Sequence, residues 1–256
     1  MSYSLILRLF FIQRAEEILR WMYEVHASGN LDVKPNTVVF TSVAQAWSNS
    51  RDKDAVRRIK SIIDWMEELT EQGYEDVRPN QFTYNTLIRA IARSEDRDKI
   101  EKAVQVLRGM QRYQDVEPNT FTYNAVLSAC AFTRGEISER QNAFKTAVVI
   151  FEEALEKAQP EDLINITYGT FFQACGNLMQ SNSERHRIGK IIKVAFHQCC
   201  EDGQVDTMLL KQVRNAASKS VYFQIFGGFK SYPNISITDI PAEWQQNVRG
   251  FKKKVK

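Results

Sequence analysis

Histidine and cysteine are scarce in this 256-residue chain, three of the first and four of the second. No Cys-x-x-Cys occurs, so the spacing of a structural zinc site is missing. The densest group is His197-Gln198-Cys199-Cys200, but adjacent helical positions point about 100° apart, which suits one tetrahedral ion poorly. Cys130, Cys175, Cys199 and Cys200 read as reduced thiols of an intracellular protein. With only 6 prolines and 11 glycines, collagen-like and long disordered stretches are excluded. No run of about eighteen apolar residues is present, so no membrane-spanning helix is expected. A Walker loop and a hydrolase elbow are also missing. Neither sign of charge dominates: 34 basic and 31 acidic side chains give +3, which neither demands nor excludes a polyanionic partner.

Two ends stand apart from this average. Met1–Arg14 is apolar, carries two Arg and no acid, and reads either as a remnant of a targeting segment or, as preferred here, as a structural piece. The tail Phe251-Lys252-Lys253-Lys254-Val255-Lys256 reads as a solvated basic end that can touch phosphates.

What the chain does have is an internal repeat. Pro35-Asn36, Pro79-Asn80 and Pro118-Asn119 open three segments that align without gaps and place Phe40, Tyr84 and Tyr123 at one position. A looser fourth segment surrounds Tyr168, and a fifth, Thr207–Val213, lacks the aromatic. Proline cannot continue a preceding helix, and the polar residue after it can cap the next one. Tyr84, Leu87, Ile88, Ile91 and Tyr123, Val126, Leu127, Cys130 then follow helical spacing. This is helix A.

Each helix A is followed by an apolar stripe at positions 0, 3, 4 and 7, the mark of one helical face. The stripes are Ala15/Ile18/Leu19/Met22, Ile59/Ile62/Ile63/Met66, Ala103/Val106/Leu107/Met110, Ala147/Ile150/Phe151/Ala154 and Ile188/Ile191/Ile192/Ala195. This is helix B. From Phe40 through Tyr84 and Tyr123 to Tyr168 the intervals are 44, 39 and 45 residues, yet the spacing inside each stripe never changes. Length therefore varies between helices and not within them, as expected when loops lie on the surface and the faces are packed. The reading is an all-α fold, a solenoid of stacked helix pairs. Cys130 and Cys175 occupy core positions, where other repeats carry Trp47 and Ile91. Before Ala15, the stretch around Tyr3 reads as a degenerate helix A with a compressed connection to its helix B.

The pattern Pro-Asn-x-x-Thr-Tyr-Asn, followed by Ala-x-x-Val-Leu-x-x-Met, resembles the pentatricopeptide repeat family, of its P type but with lengthened repeats. The resemblance is strong from Pro35 to Met110, good to Ala158 and weak from Pro160 to Ser218. It implies a right-handed α-solenoid of antiparallel pairs of roughly thirty-five residues, binding single-stranded RNA one base per repeat in a mitochondrion or plastid. A cytoplasmic setting stays open. Protein partners in a larger RNA-processing assembly are also implied, and neither a cofactor nor a membrane.

In that family the base is read by the residue after the aromatic together with the last residue of the repeat. Carried over, Thr41 pairs with Asn80, a combination that favours adenine, and Asn85 with Asn119, which favours a pyrimidine. Asn124 has either Ile164 or Glu161 as partner, Asn36 closes the partial repeat before Thr41, and Gly169 stands at the fourth reading position. The base is clamped by Val38, Phe82, Phe121 and Ile166. The other reading of the same residues is that Asn and Thr cap helices, and that Phe82 and Phe121 are core.

The layout is a partial repeat over 1–36, an array over 37–218 and an aromatic-rich cap with a basic tail over 219–256. The fifth unit is expected to lack a polar reader and to serve as a cap. After it, Tyr222, Phe223, Phe226, Phe229, Tyr232 and Trp244 are expected to cover the last helices, with a Pro-started helix from Ile240 to Val248. Some relatives carry a deaminase, which needs His-x-Glu and Cys-x-x-Cys; both are missing, and the tail is too short for a nuclease domain, so an enzyme is not expected. The rival function is a protein-binding scaffold like the related tetratricopeptide repeats. Three working repeats at about 1–3 kcal/mol per stacked base imply affinity near micromolar or weaker for the chain alone.

Overall fold

Proline followed by asparagine fixes where a helix starts. In the computed structural model, which describes residues 3–50, 52–110, 116–158, 162 and 164–248 (side chains from residue 10 onward), Asn80 is extended and its Oδ1 accepts the Thr83 N–H at 3.1 Å. The Thr83 hydroxyl accepts the Asn80 N–H in return, closing a capping box. Asn119 and Thr122 repeat this arrangement, and Asn36 Oδ1 accepts from Val39 N at 3.1 Å.

The helices that begin this way are packed in two compact units, Met1–Pro118 and Asn119–Lys256. In the first unit α1 (Tyr3–Ala27) packs on α2 (Thr37–Ser50), α2 on α3 (Ala55–Glu71) and α4 (Gln81–Arg93), α3 on α4, and α4 on α5 (Lys99–Met110). Here α2 and α4 are A helices, and α3 and α5 their B helices. In the second unit α6 (Thr120–Ala131) packs on α7 (Ile137–Glu156) and α8 (Ile164–Leu178), α7 on α8, and α8 on α10 (Gly189–Glu201) and α11 (Thr207–Ala216). The short α9 (Asn182–Arg187) and α12 (Lys219–Phe226) both lie against α10. The A helices of this unit are α6, α8 and α11. An all-helical fold of paired helices, each packed on its neighbours, is what the sequence called for, and no strand occurs among the described residues.

The stripes are the core. Ile59, Ile62, Ile63 and Met66 are buried, as are Ala147, Ile150, Phe151 and Ala154, and each large member contributes about 1.5–3 kcal/mol. Helix A supplies Phe40, Tyr84, Tyr123 and Tyr168, all buried. Tyr84 donates its hydroxyl proton to Glu67 at 2.7 Å and Tyr168 to Asp202 at 2.6 Å, so the polar tips are satisfied. Burial, then the hydrogen bond to Asp202, raises the Tyr168 pKa. Cys130 and Cys175 are fully buried as expected, and burial pushes the Cys175 thiol up. Cys199 and Cys200 are buried too; burial is again the main cause that raises Cys199 and holds Cys200 up at about 12.

Two buried carboxylates tie neighbouring helices together. Glu16 of α1 accepts from Trp47 Nε1 of α2 at 3.1 Å and faces Arg58 of α3, whose guanidinium lies over the Trp47 ring. In the second unit Arg140 of α7 donates to the Leu178 carbonyl and stands 3.8 Å from Glu184 of α9. Arg140 closes a segment that reads as a charged loop, but α7 already starts at Ile137 and carries it into the interior.

Several expectations are corrected. α1 runs unbroken from Tyr3 to Ala27, so the stretch around Tyr3 is no separate helix A; no glycine or proline interrupts it. Ile18 of its stripe is 46% exposed because α2 is the main neighbour of α1. Ile191 and Val106 likewise sit at the edges of their stripes, not in the core. The C-terminal aromatics do cover α10: Phe196 meets Phe226 and Trp244 at ring distances of 5.1 and 5.8 Å, and Val205 N–H donates to the Trp244 carbonyl at 2.8 Å. The helix expected from Ile240 to Val248 is only a 3-10 turn, Ala242–Gln245. The basic tail 251–256 and Glu161 lie outside the described residues.

The helix B of the first full repeat, α3, ends on glycine. After α3, Gly73 has φ +97°, its N–H bonds Thr70 O at 2.9 Å and the Tyr74 N–H bonds Leu69 O at 3.0 Å, a Schellman closure. A Cβ on Gly73 would meet no atom within 4 Å. Gly73→Ala is therefore expected to lower stability by about 1–2 kcal/mol through backbone strain alone, read as a lower thermal midpoint.

Candidate nucleic-acid interface

The capping residue sets a register along helix A, and the sequence-predicted site residues fall at fixed offsets from it. Two residues after the cap stand Val38, Phe82 and Phe121, which are 70%, 72% and 61% exposed. Ile166, the equivalent residue of α8, is 45% exposed. These side chains are therefore not core. Exposure of one large apolar residue at the same place on successive A helices is unusual enough to point to an interaction surface.

Five residues after the cap stand Thr41, Asn85 and Asn124, and Gly169 takes this position in α8. Each follows the buried aromatic, so the helical turn sets it beside the packed face and not within it. Their hydrogen bonding separates them from the capping asparagines. Asn36, Asn80 and Asn119 use their carbonyl oxygens to start helices. Asn85 Oδ1 and Asn124 Oδ1 are enclosed and have no hydrogen-bond partner. An enclosed acceptor left unpaired costs about 1–3 kcal/mol, so these two oxygens do not stabilise the fold. Rotation by a half-turn about the last side-chain bond exchanges the oxygen and the amino group. Such an amide can offer a ligand either a donor or an acceptor.

In the first unit the structure brings one expected pair together. The Thr83 hydroxyl donates to Asn80 Oδ1 at 3.1 Å and lies 2.9 Å from the Thr41 hydroxyl. With the Thr83 proton committed to Asn80, Thr41 is the donor of that second bond. Thr41 and Asn80 are thus joined through Thr83, and Thr41 retains acceptor lone pairs. Asn85 belongs to the first unit and Asn119 to the second. Ile164, one of the two partners considered for Asn124, is the first residue of α8 and apolar.

Charge lies along the same register. Arg89 and Arg93 follow Asn85 at successive turns of α4. Arg89 Nε and Nη2 are unpaired, and burial followed by repulsion from Arg93 lowers its pKa. One residue was missed from the sequence. Asp206 caps α11, its Oδ1 accepting from Leu209 N at 2.6 Å, so the fifth residue after the cap is Lys211 and the second is Met208, which is exposed. The fifth unit therefore does carry a polar residue at the reading position. Without an aromatic the register was ambiguous by one; the Asp at the helix start would have fixed it.

Among the described residues no group of three or more metal-ligating side chains occurs and no helix is long and apolar enough to cross a membrane. Compared with known families, residues 79–131 match the PPR repeat family. The match runs from the Pro79-Asn80 helix start to the end of α6, and the resemblance read from the sequence holds for this segment. No curated protein matches the chain.

The division between capping and non-capping asparagines has a direct check. Asn80→Ala is expected to destabilise by about 1 kcal/mol through loss of the cap. Asn85→Ala is expected to leave stability unchanged or raise it by a few tenths, since alanine is the better helix former and an unpaired acceptor is removed. Urea denaturation of the two variants reads the difference; equal losses would make Asn85 a folding residue.

Proposed function

We propose, starting from the PPR repeat at residues 79–131, that this chain is a sequence-selective single-stranded RNA-binding protein. One observation carries the reading: Asn85 and Asn124 have amide oxygens without a hydrogen-bond partner among the described residues, each three residues beyond an exposed phenylalanine. A base stacked on Phe82 or Phe121 would present its edge to that amide, and each such stack is worth about 1–3 kcal/mol. Val38 and Ile166 would serve the flanking repeats, with contact area but no aromatic stacking. Thr41, its proton committed to Thr83, acts as an acceptor and suits an exocyclic amino group such as that of adenine. Asn80 and Asn36 contribute the amide ends beside their capping oxygens, and Asn119 stands at the same place before α6. Arg89 and Arg93 bring positive charge to the face that the phosphates follow.

The array of 37–218 does the binding and 219–256 closes its end. The chain acts by binding and not by catalysis, in organellar RNA processing, stabilisation or translation; the organelle rests on the family alone. With few reading positions, affinity for short RNA is near micromolar, so the chain works beside other proteins or on abundant transcripts. The rival reading, a protein-binding scaffold, uses the same faces but gives the unpaired amides no purpose.

Selection from a random RNA pool at physiological salt tests the proposal. The wild type is expected to enrich a short motif, and Asn85→Ala and Asn124→Ala each to lose preference at one position. Phe82→Ala is expected to weaken all sequences by about 5- to 150-fold, equivalent to the loss of one stack. Absence of RNA binding, with a protein recovered instead, would establish the scaffold.

A further inference from the structure

The second unit has a cleft that the repeat-by-repeat reading does not use. It encloses about 590 Å³ beside α8 and α11, within the range of small-ligand sites. Its walls are the amides Gln173, Asn177, Gln212 and Asn215 and the cations Arg185, Lys211 and Arg214; no carboxylate is among the described residues that line it. Gly176 lies at its floor, where an added Cβ would come within 3.4 Å of the Asn215 carbonyl, so the missing side chain lets α8 and α11 approach.

The polar groups are held in place. Arg185 Nε donates to Met179 O at 2.8 Å and Nη2 to Gly176 O at 3.4 Å, which fixes the plane of a guanidinium whose charge no carboxylate cancels. Asn177 Nδ2 donates to Ala131 O at 3.0 Å, leaving its own carbonyl oxygen for other donors. Arg214 bonds the neutral Asn234 at 3.2 Å. Lys211 is exposed and has no ion-pair or hydrogen-bond partner among the described residues. Three positive charges facing one cleft repel one another, and an anion in the cleft relieves that repulsion. Mobile oxyanions matched to guanidinium and ammonium donors are phosphates.

Register says which phosphate. Within the unit α6 packs on α8 and α8 on α11, and the reading positions carry Asn124, which follows Tyr123, then Gly169, which follows Tyr168, then Lys211, five residues after the Asp206 cap. Gln173 and Asn177 continue the face of Gly169 by one and two turns, and Asn215 that of Lys211 by one. The polar face therefore continues past Asn124, changing from an amide, through a position with no side chain, to a cation. We infer that the cleft between α8 and α11 holds the phosphodiester backbone of single-stranded RNA, gripping the strand without regard to sequence where base reading stops. The inference rests on the RNA-binding reading above and assigns α11 a binding role in place of simple capping.

The test is the salt dependence of binding of the full chain to an oligonucleotide carrying the selected motif. Removing two phosphate contacts reduces the slope of log K against log salt by about 1.4, at about 0.7 per charge for a single strand. The double variant Lys211→Gln/Arg214→Gln is expected to show that smaller slope and, at 0.1 M salt, about 25-fold weaker binding, with the motif unchanged. Both side chains are exposed, and circular dichroism confirms that the variant is folded. Lys145→Gln, on the exposed side of α7, is expected to change neither quantity. Inorganic phosphate is expected to compete only through its ionic strength; displacement of RNA at low millimolar phosphate would overturn a polymer as the occupant. An unchanged slope in the double variant with the motif still bound overturns this inference alone. No RNA binding by the wild type overturns it together with the proposed function.

Discussion

Where a helix starts decides which of its side chains face solvent, and at α4 and α6 a ring of hydrogen bonds sets that start. Asn80 and Thr83 exchange side-chain and backbone bonds, and so do Asn119 and Thr122. A start displaced by one residue would turn every later side chain by about 100°. Tyr84 would leave the core and Phe82 would approach it. The cap is worth only about 1 kcal/mol in stability, but it fixes the angular phase on which both core and surface depend.

Given that phase, the polar residues of helix A divide by duty. The asparagine at the start is spent on the backbone, whereas the asparagine five residues on is not. Thr41 is intermediate: its hydroxyl donates to the Thr83 that closes the next cap, so a ligand that accepted from Thr41 would loosen the start of α4. Capping and the unpaired acceptors therefore fall on different side chains, with the Thr41 hydroxyl tied to a cap in the first unit.

Much of this was legible because the constraints are local. Pro-Asn marks and 0, 3, 4, 7 stripes report on single helices, and Ile59 to Met66 and Ala147 to Ala154 are buried as the pattern required. The unread features depend on partners that are remote in sequence. Ile18 has the spacing of a core residue, yet it is 46% exposed, turned away from the α2 that α1 chiefly packs on. Arg140 looks like a loop charge until Glu184 and the Leu178 carbonyl come beside it. The unpaired state of Asn85 is a statement about every group around it, which no spacing encodes. Lys211 is different: Asp206 encodes its register, but α11 lacks the aromatic that marks this position in the other A helices.

Because every helix A resets its own phase, the chain between helices is free to change length. Tyr84 follows Phe40 by 44 residues and Tyr123 follows Tyr84 by 39, yet both hold the same angular position. A gene built this way tolerates small in-frame gains and losses almost anywhere between helices. Point substitutions of Asn85 or Asn124, five residues beyond a cap, leave that cap's hydrogen bonds in place. The surface of each helix A can thus change one position at a time while its start stays fixed.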